Sequence, residues 1–296
     1  MVDSAVLQNI LNYGPVFLLI AVRALAMIEV APLLSSDAIP QVAKLALAGF
    51  IAFAALPTAA AFSAGGGAGT AVVGTAAVGT AAVALGDLRY EPFSLRFILL
   101  ILGEGIIGII IGFFLTIIFA AFSTAGQFFS LQMGFGASET FDPLSQIENP
   151  LMGQYLNLVS MLVFLTIGGW DLLLRGFWRS VQSLNIAALA AGREPAVNML
   201  VSGLSRLFLD AMVISLPILG TLFLTSLATG LISKAAPQIN ILSEGFPISI
   251  TVAFILIYSS LPFMTEAFAH VIASGFSSIE DLYAQIGQQI AGGNGL

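Results

Sequence analysis

Arg23, Glu29 and Glu104 are ionisable side chains that lie inside long apolar runs, where their charge must be satisfied by protein. Arg23 and Glu29 occur in the run Pro15–Leu34, and Glu104 stands near the start of the segment GEGIIGIIIGFF. A charged residue at the centre of a membrane helix costs about 2.5–3.5 kcal/mol on insertion scales. Such residues are therefore retained for ion pairs or proton relays. They are the first candidates for function.

Arg23 and Glu29 are too far apart along a helix to contact each other. Their six-residue separation corresponds to roughly 120° around the helix axis and roughly 9 Å along it. We expect each side chain to find a partner on another helix, inside a protein interface. The alternative is that both side chains extend to opposite membrane surfaces.

Glu104, Gly108 and Gly112 recur every four residues on one helical face. Small residues at this spacing let a second helix backbone approach closely, so Gly108 and Gly112 are predicted helix-packing positions. Glu104 shares their face and is predicted to act, with Arg23 and Glu29, as an intramembrane polar clamp. A proton relay is the alternative, although no second carboxylate is evident as its partner.

Catalytic and cofactor chemistry is largely excluded by composition. The chain has no cysteine and one histidine, His270. Thiolate sites and multi-histidine metal sites are therefore impossible within one chain. No phosphate-binding GxxxxGK[ST] loop is present. We expect no catalytic residue, no metal site and no cofactor, and we predict that the protein is not an enzyme.

The composition is that of an all-α integral membrane protein. Residues are 58% hydrophobic and 8% charged, against roughly 25% charged in soluble domains. The net charge of −7 argues against nucleic acid as a partner. Six apolar segments are long enough to be candidate spans. They are Pro15–Leu34, Val42–Phe62, Phe97–Phe122, Leu151–Gly169, Leu207–Ile232 and Ile248–Phe268.

Residues 63–92 contain the repeat GTAVV-GTAAV-GTAAV and are predicted to be a low-complexity Ala/Gly insert. A seventh span over Ala68–Gly86 is the alternative, but Ala and Gly drive insertion weakly. Basic residues between the six spans favour one side, which should be cytoplasmic by the positive-inside rule. The arginines on that side are Arg89, Arg96, Arg175, Arg179, Arg193 and Arg206.

The segment Ala125–Pro150 is rich in glycine and phenylalanine and has no basic residue. Its bulky side chains must pack on protein, unlike those of a solvated linker. Irregular backbone at membrane depth survives only where protein buries it or where it lines a cavity. The segment is therefore the strongest candidate for a pore-facing element.

A second interrupted stretch, Ser233–Ile248, is predicted to form a polar bend in which Pro237 and Pro247 break the helix. Its polar members include Lys234, Gln238 and Asn240, and Lys234 and Glu244 bracket the bend. The bend is either a re-entrant turn capped by its own amides or a lining that contacts partners or substrate.

Two amphipathic stretches follow helical spacing. Asp171, Arg175 and Arg179 form a narrow charged stripe, suited to a membrane interface, a subunit contact or a solvated face. Residues 277–296 are predicted to be an amphipathic helix and tail, capped by Ser277 or Ser278.

Four motifs in order carry a resemblance to a known family. They are APLLSSDAIP at Ala31–Pro40, GEGIIGIIIGF at Gly103–Phe113, AGQFFSLQMGFGASETFDP at Ala125–Pro143 and AAPQINILSEGFPI at Ala235–Ile248. With these motifs the chain resembles the FliR family of flagellar export-gate proteins, whose injectisome relatives are the SctT-type proteins. The resemblance runs over nearly the whole length.

The resemblance implies a single export-gate domain over residues 1–296 in the bacterial inner membrane, at the flagellar basal body. Members resemble a fusion of FliP-like and FliQ-like pieces and assemble helically with such subunits. FlhB-like and FlhA-like export components and unfolded flagellar proteins are further implied partners. Part of the family's assembly rises out of the bilayer plane, so sister subunits would cover some of the apolar helices.

The resemblance also implies that residues 125–150 include a gate loop that projects into the closed pore as part of its seal. The positions that carry over are Gln132, Met133, Phe135, Phe141, Asp142 and Pro143. An injectisome subunit is one alternative. A self-contained secondary transporter, with paired broken helices at Ala125–Pro150 and Ser233–Ile248, is the other.

Overall fold

The structure is a computed structural model that describes residues 4–36, 38–64, 95–134, 151–183, 193–236 and 241–293. Every regular element in these ranges is an α-helix, which confirms the predicted all-α class. The helices are α1 (Ser4–Val30), α2 (Gln41–Ala64), α3 (Leu95–Met133), α4 (Leu151–Thr166), α5 (Gly169–Ser183), α6 (Arg193–Ala235) and α7 (Ile241–Gly293).

Three of the described helices are long and apolar enough to cross a membrane, over Phe97–Met133, Glu194–Ala235 and Pro247–Gln285. The bent pair α4 and α5 becomes a fourth candidate if it is counted as one broken span. Gly168 separates the two helices, and its φ of 75° is the left-handed conformation that commonly ends a helix. The structure therefore supports a membrane protein, while the predicted count of six spans stays a prediction.

The chain divides into two compact units. The first comprises residues 1–116, 170–202 and 275–296, and thus α1, α2, α5 and parts of α3, α6 and α7. Its core includes Ala24, Met27 and Ile28 of α1, which are fully buried. The α1–α2 connection is held by a turn in which the backbone amides of Leu34 and Ser35 donate to the carbonyl of Ala31.

The second unit comprises residues 117–169 and 203–274 and has an aromatic core. The rings of Phe119 and Phe164 pack edge to face with centroids 5.6 Å apart, and Phe122 lies 4.4 Å from Phe268. All four side chains are at most 2% exposed. Such ring pairs stabilise beyond their buried area by about 0.5–1.5 kcal/mol.

Helix α3 is longer than the third predicted span. The sequence analysis placed irregular backbone from Ala125, but residues 125–133 continue the helix to Met133. The reason is packing, because Ala125, Phe129 and Met133 are fully buried at i, i+4 and i+8. This buried face outweighs the low helix propensity of Gly126.

Two further predicted boundaries were wrong. Pro247 was expected to break a helix, yet it lies inside α7, as does Pro262. Membrane helices tolerate proline where neighbouring groups satisfy the freed backbone. Ser277 and Ser278 were expected to cap a separate C-terminal helix, but α7 runs through them to Gly293. Apolar burial on both sides, at Ile272 and Ile279, keeps the helix continuous there.

Candidate functional site

A buried ionic cluster in the first unit is centred on Arg23, which is 3% exposed. Its Nε donates to Oε2 of Glu104 over 2.6 Å, and its Nη2 contacts the same oxygen. Its Nη1 donates to the carbonyl oxygen of Ser180 over 2.6 Å and to the Ser180 hydroxyl over 2.9 Å. One guanidinium therefore joins α1, α3 and α5.

Helix α1 crosses α3 at the same place, and two glycines allow the close approach. A Cβ at Gly108 would overlap the carbonyl oxygen of Arg23. A Cβ at Gly112 would stand 2.8 Å from the carbonyl oxygen of Met27. One further turn along α3, the Thr116 hydroxyl donates to the carbonyl oxygen of Val30 over 2.8 Å. The α3 face that begins at Glu104 is thus in contact with α1 at every fourth residue.

Glu29 is not part of the Arg23 cluster. Its Oε2 accepts from Nζ of Lys44 over 3.2 Å, and the same Nζ lies 3.3 Å from the carbonyl oxygen of Ser35. Lys44 is 3% exposed, whereas the Glu29 side chain is 38% exposed. The sequence analysis did not single out Lys44 as a partner for Glu29. Its position on the face of α2 that also carries the buried Ala48 could have indicated burial.

The predicted charged stripe on α5 divides between two kinds of contact. Asp171 and Arg175 form an exposed ion pair of 2.8 Å. Arg179 instead pairs with Glu280 of α7 over 3.1 Å. Helix α5 is therefore tied to α7 by Arg179 and to α1 by the Ser180 contact with Arg23.

In the second unit, the described part of the predicted gate loop is the end of α3. Met133 is fully buried, and Gly134 follows it with a φ of 90°. Gln132 is exposed, and its side-chain amide lies 3.5 Å from the Ser226 hydroxyl of α6, a long hydrogen bond. Phe135, Phe141, Asp142 and Pro143 lie outside the described residues.

The sequence analysis did not predict a glycine contact between α3 and α4 that lies shortly before the end of α3. A Cβ at Gly126 of α3 would overlap the backbone of Met152 and Gly153 of α4. A Cβ at Gly153 would stand 2.9 Å from the carbonyl oxygen of Ser123. Each helix contributes a single glycine, so no repeat in the sequence indicated the contact.

The remaining predicted positions are either exposed or outside the described residues. Lys234 is exposed near the end of α6, and Pro237, Gln238 and Asn240 lie outside the described residues, as does the insert from residue 65. Within the described ranges, no group of three or more His, Asp or Glu residues could hold a metal ion. The described arrangement offers ion pairing and close helix packing.

Comparison with known proteins identifies the family to which this chain belongs. The family model described as "Bacterial export proteins, family 1" matches residues 15–275. The chain is 28% identical to the "Flagellar biosynthetic protein FliR" of Escherichia coli over 264 residues, which cover 89% of this chain and 91% of the relative. The FliR protein of Bacillus subtilis is 25% identical over 287 residues, or 95% and 99% of the two chains.

The FliR protein of Borreliella burgdorferi is 34% identical over 190 residues, which cover 62% of this chain and 70% of the relative. The matched region 15–275 contains the Arg23 cluster, both glycine contacts and the segment between α3 and α4. The family match and these relatives together show that this chain belongs to the bacterial export proteins of family 1, the FliR/SctT family.

Proposed function

We propose that this chain is a non-enzymatic core subunit of the flagellar type III protein export gate. It lies in the bacterial inner membrane, at the flagellar basal body, and forms part of the pore for unfolded flagellar subunits. The observation that carries the proposal is the family match over residues 15–275, with flagellar relatives aligned over nearly their whole length. FliP-like and FliQ-like subunits and FlhB-like and FlhA-like components are the proposed partners.

The exposed apolar surface supports assembly with other membrane subunits. Of the candidate spans, 61% of the α3 window is buried, against 28% for α6 and 22% for α7. On α6, large apolar side chains are exposed from Val197 to Ile232. This stretch is roughly 53 Å long. A bilayer core of about 30 Å covers only roughly 39 Å of it, even at a tilt of 40°. The remainder of this surface is available for contact with partner subunits.

Gentle extraction tests this assembly. We expect the tagged chain to leave the membrane as a stable complex with small polytopic partners, because isolated α6 would expose more apolar surface than the hydrocarbon core of a bilayer covers. Native mass spectrometry of the detergent extract measures this. Recovery as a stable monomer that holds no membrane partner would contradict the gate proposal and favour a self-contained transporter.

We place the closed-state seal in the segment that follows α3. Helix α3 ends at Met133 and α4 begins at Leu151, close to the glycine contact that joins them. Residues 135–150 could reach roughly 53 Å if extended. This is far more chain than the distance between the two helix ends requires. The residues proposed to contribute are Gln132, Met133, Phe135, Phe141, Asp142 and Pro143.

Deleting Gly136–Thr140 should leave assembly intact and make the idle gate leak ions. The deletion spares the buried α3 end and the start of α4, so the helices still pack, while the shortened segment no longer fills the pore. Membrane conductance in cells that express the complex without exported substrate measures the leak. As a control, the same five residues are replaced by a different Gly-containing pentapeptide. This variant changes the sequence of the segment but keeps its length. Unchanged permeability of the deletion variant would count against the seal.

The Arg23 cluster is proposed to be a structural clamp. Oε2 of Glu104 accepts two N–H groups of Arg23, and Arg23 continues to a backbone carbonyl and a hydroxyl of Ser180. This geometry supports a fixed charge pair that holds three helices, rather than a group that releases a proton during export. Glu29 and Lys44 form a second clamp of the same kind between α1 and α2.

A further inference from the structure

We infer that Gly126 and Gly153 are positioning residues that fix the two helices from which segment 135–150 leaves and to which it returns. The inference rests on the proposed role of that segment in the pore seal. It states that α3 and α4 stay packed against each other during export.

The first step is the closeness of the contact. A Cβ at Gly126 would lie 2.6 Å from Cα of Gly153, and a Cβ at Gly153 would lie 2.9 Å from the carbonyl oxygen of Ser123. Both glycines are buried. Backbones in direct contact are closer than the 8–10 Å between axes that is usual for packed helices. There is therefore no room at this point for any side chain other than hydrogen.

The second step is the direction of the two helices. Gly126 meets Gly153, while the earlier Phe119 of α3 meets the later Phe164 of α4 through ring centroids 5.6 Å apart. Contacts that run backwards along one helix and forwards along the other define an antiparallel pair. Phe164 is fully buried and Phe119 is 2% exposed. The pair is thus held at two levels, by glycine backbones and by packed rings.

The third step is the position of the glycine contact relative to the segment. Gly153 is the third residue of α4, and Met133 ends α3 seven residues after Gly126. Helix α3 therefore extends roughly 10 Å beyond the contact, about two turns. Phe129 and Met133 on this extension are fully buried. Separating the helices would require breaking the glycine contact, the ring pair and this buried extension together.

The first test is Gly153→Ala, which pushes the helices apart by a distance on the order of 1 Å because the new methyl group meets backbone that cannot rotate away. We expect a several-fold rise in the conductance of the idle gate, with the complex recovered in near-normal amount. The matched control is Gly220→Ala in α6, since a Cβ there has nothing within 4 Å. A Gly153→Ala gate that is assembled and as tight as the control would overturn the inference.

The second test is informative even if the Gly153→Ala variant does not assemble. Gln127 and Gln154 flank the glycine contact on exposed positions, and the natural chain has no cysteine. Gln127→Cys and Gln154→Cys together allow a short bis-maleimide to lock α3 to α4 in the assembled gate. We expect locked gates to export at the rate of each single-cysteine variant treated identically. Loss of export on locking would show that the helices must separate, and would overturn the inference.

Combining these variants with the loop deletion separates this inference from the proposed function. In a Gly136–Thr140 deletion, Gly153→Ala should add little further leak, since both changes act on one seal. If the deletion leaks and Gly153→Ala does not, the positioning role fails while the proposed seal stands. If the deletion itself does not leak, the proposed seal fails, and export by locked gates still decides whether the helices separate.

Discussion

Replacing Arg23 by leucine is expected to lower the amount of chain in the membrane by at least about tenfold. The substitution leaves the Glu104 carboxylate, which is only 14% exposed, without its cation. Removing one partner of a buried ion pair costs about 3–5 kcal/mol. It also removes the donor to the Ser180 carbonyl, so α5 loses its tie to α1. Quantitative immunoblotting of membranes and swimming motility measure the loss.

Two controls separate the buried pair from charge in general. Arg175→Leu breaks an ion pair whose partners are 72% and 64% exposed, and it should leave the amount unchanged. The double variant Arg23→Leu with Glu104→Leu should accumulate better than Arg23→Leu alone, because no buried charge remains. Wild-type levels of the single variant would show that the cluster contributes nothing to folding.

Glu104→Gln distinguishes a clamp from a proton relay. Glutamine keeps an oxygen that can accept from Arg23, so a clamp should retain assembly and most export. A relay would lose export while assembly stayed normal, because an amide cannot exchange the proton. That second outcome would replace the clamp by the relay as the role of Glu104.

The sequence indicated which faces of the helices needed partners, but not which helices would supply them. A charged residue in an apolar run has a computable cost, and a four-residue glycine spacing has a known packing meaning, so Arg23, Glu29 and Glu104 could be singled out. Which residue becomes the partner of each of these side chains depends on which helices cross and where they cross. Nothing in the spacing of residues distinguishes Ser180 from other polar residues. The spacing of Lys44 and Ala48 on α2 indicates that Lys44 is buried, but it does not identify Glu29 as the partner.

The missed features share a physical cause, which is that tertiary burial overrides local propensity. Gly126 and Gly153 each look like isolated helix-weakening residues until the two backbones are seen to touch. Pro247 looks like a helix end, but in α7 it is accommodated within the second turn. The continuation of α3 to Met133 depends on burial of Phe129, which no local pattern separates from a phenylalanine in a loop.

The glycine contacts of the two units differ in what they position. Gly108 and Gly112 bring α1 against α3 so that a side-chain ion pair can form beside them. Gly126 and Gly153 bring α3 against α4 through backbone contact, with ring packing further along the pair. The first contact should therefore matter for folding and the second for the geometry of the proposed seal.

Gly108→Ala is expected to have the second large effect. The added methyl group meets the carbonyl oxygen of Arg23 and stands 2.9 Å from Cβ of Ala26, so α1 must move away from α3. Overpacking of this kind costs about 1–3 kcal/mol, and movement of α1 also lengthens the bond between Arg23 and Glu104. We expect a several-fold fall in membrane abundance and a lower midpoint of thermal unfolding in detergent.

A graded series on the same helix makes the argument specific to the crossing. Gly105→Ala should be neutral or slightly stabilising, because its nearest neighbour, Cγ1 of Val22, would be at an ordinary 3.8 Å and alanine favours the helix by about 1 kcal/mol. Gly112→Ala, with its Cβ 2.8 Å from the Met27 carbonyl oxygen, should fall between the two. Helix propensity alone predicts that alanine raises the stability of the helix by the same amount at all three sites. The order Gly108, Gly112, Gly105 in severity therefore follows only if α1 crosses α3 backbone to backbone at Arg23, and any other order would place the crossing elsewhere.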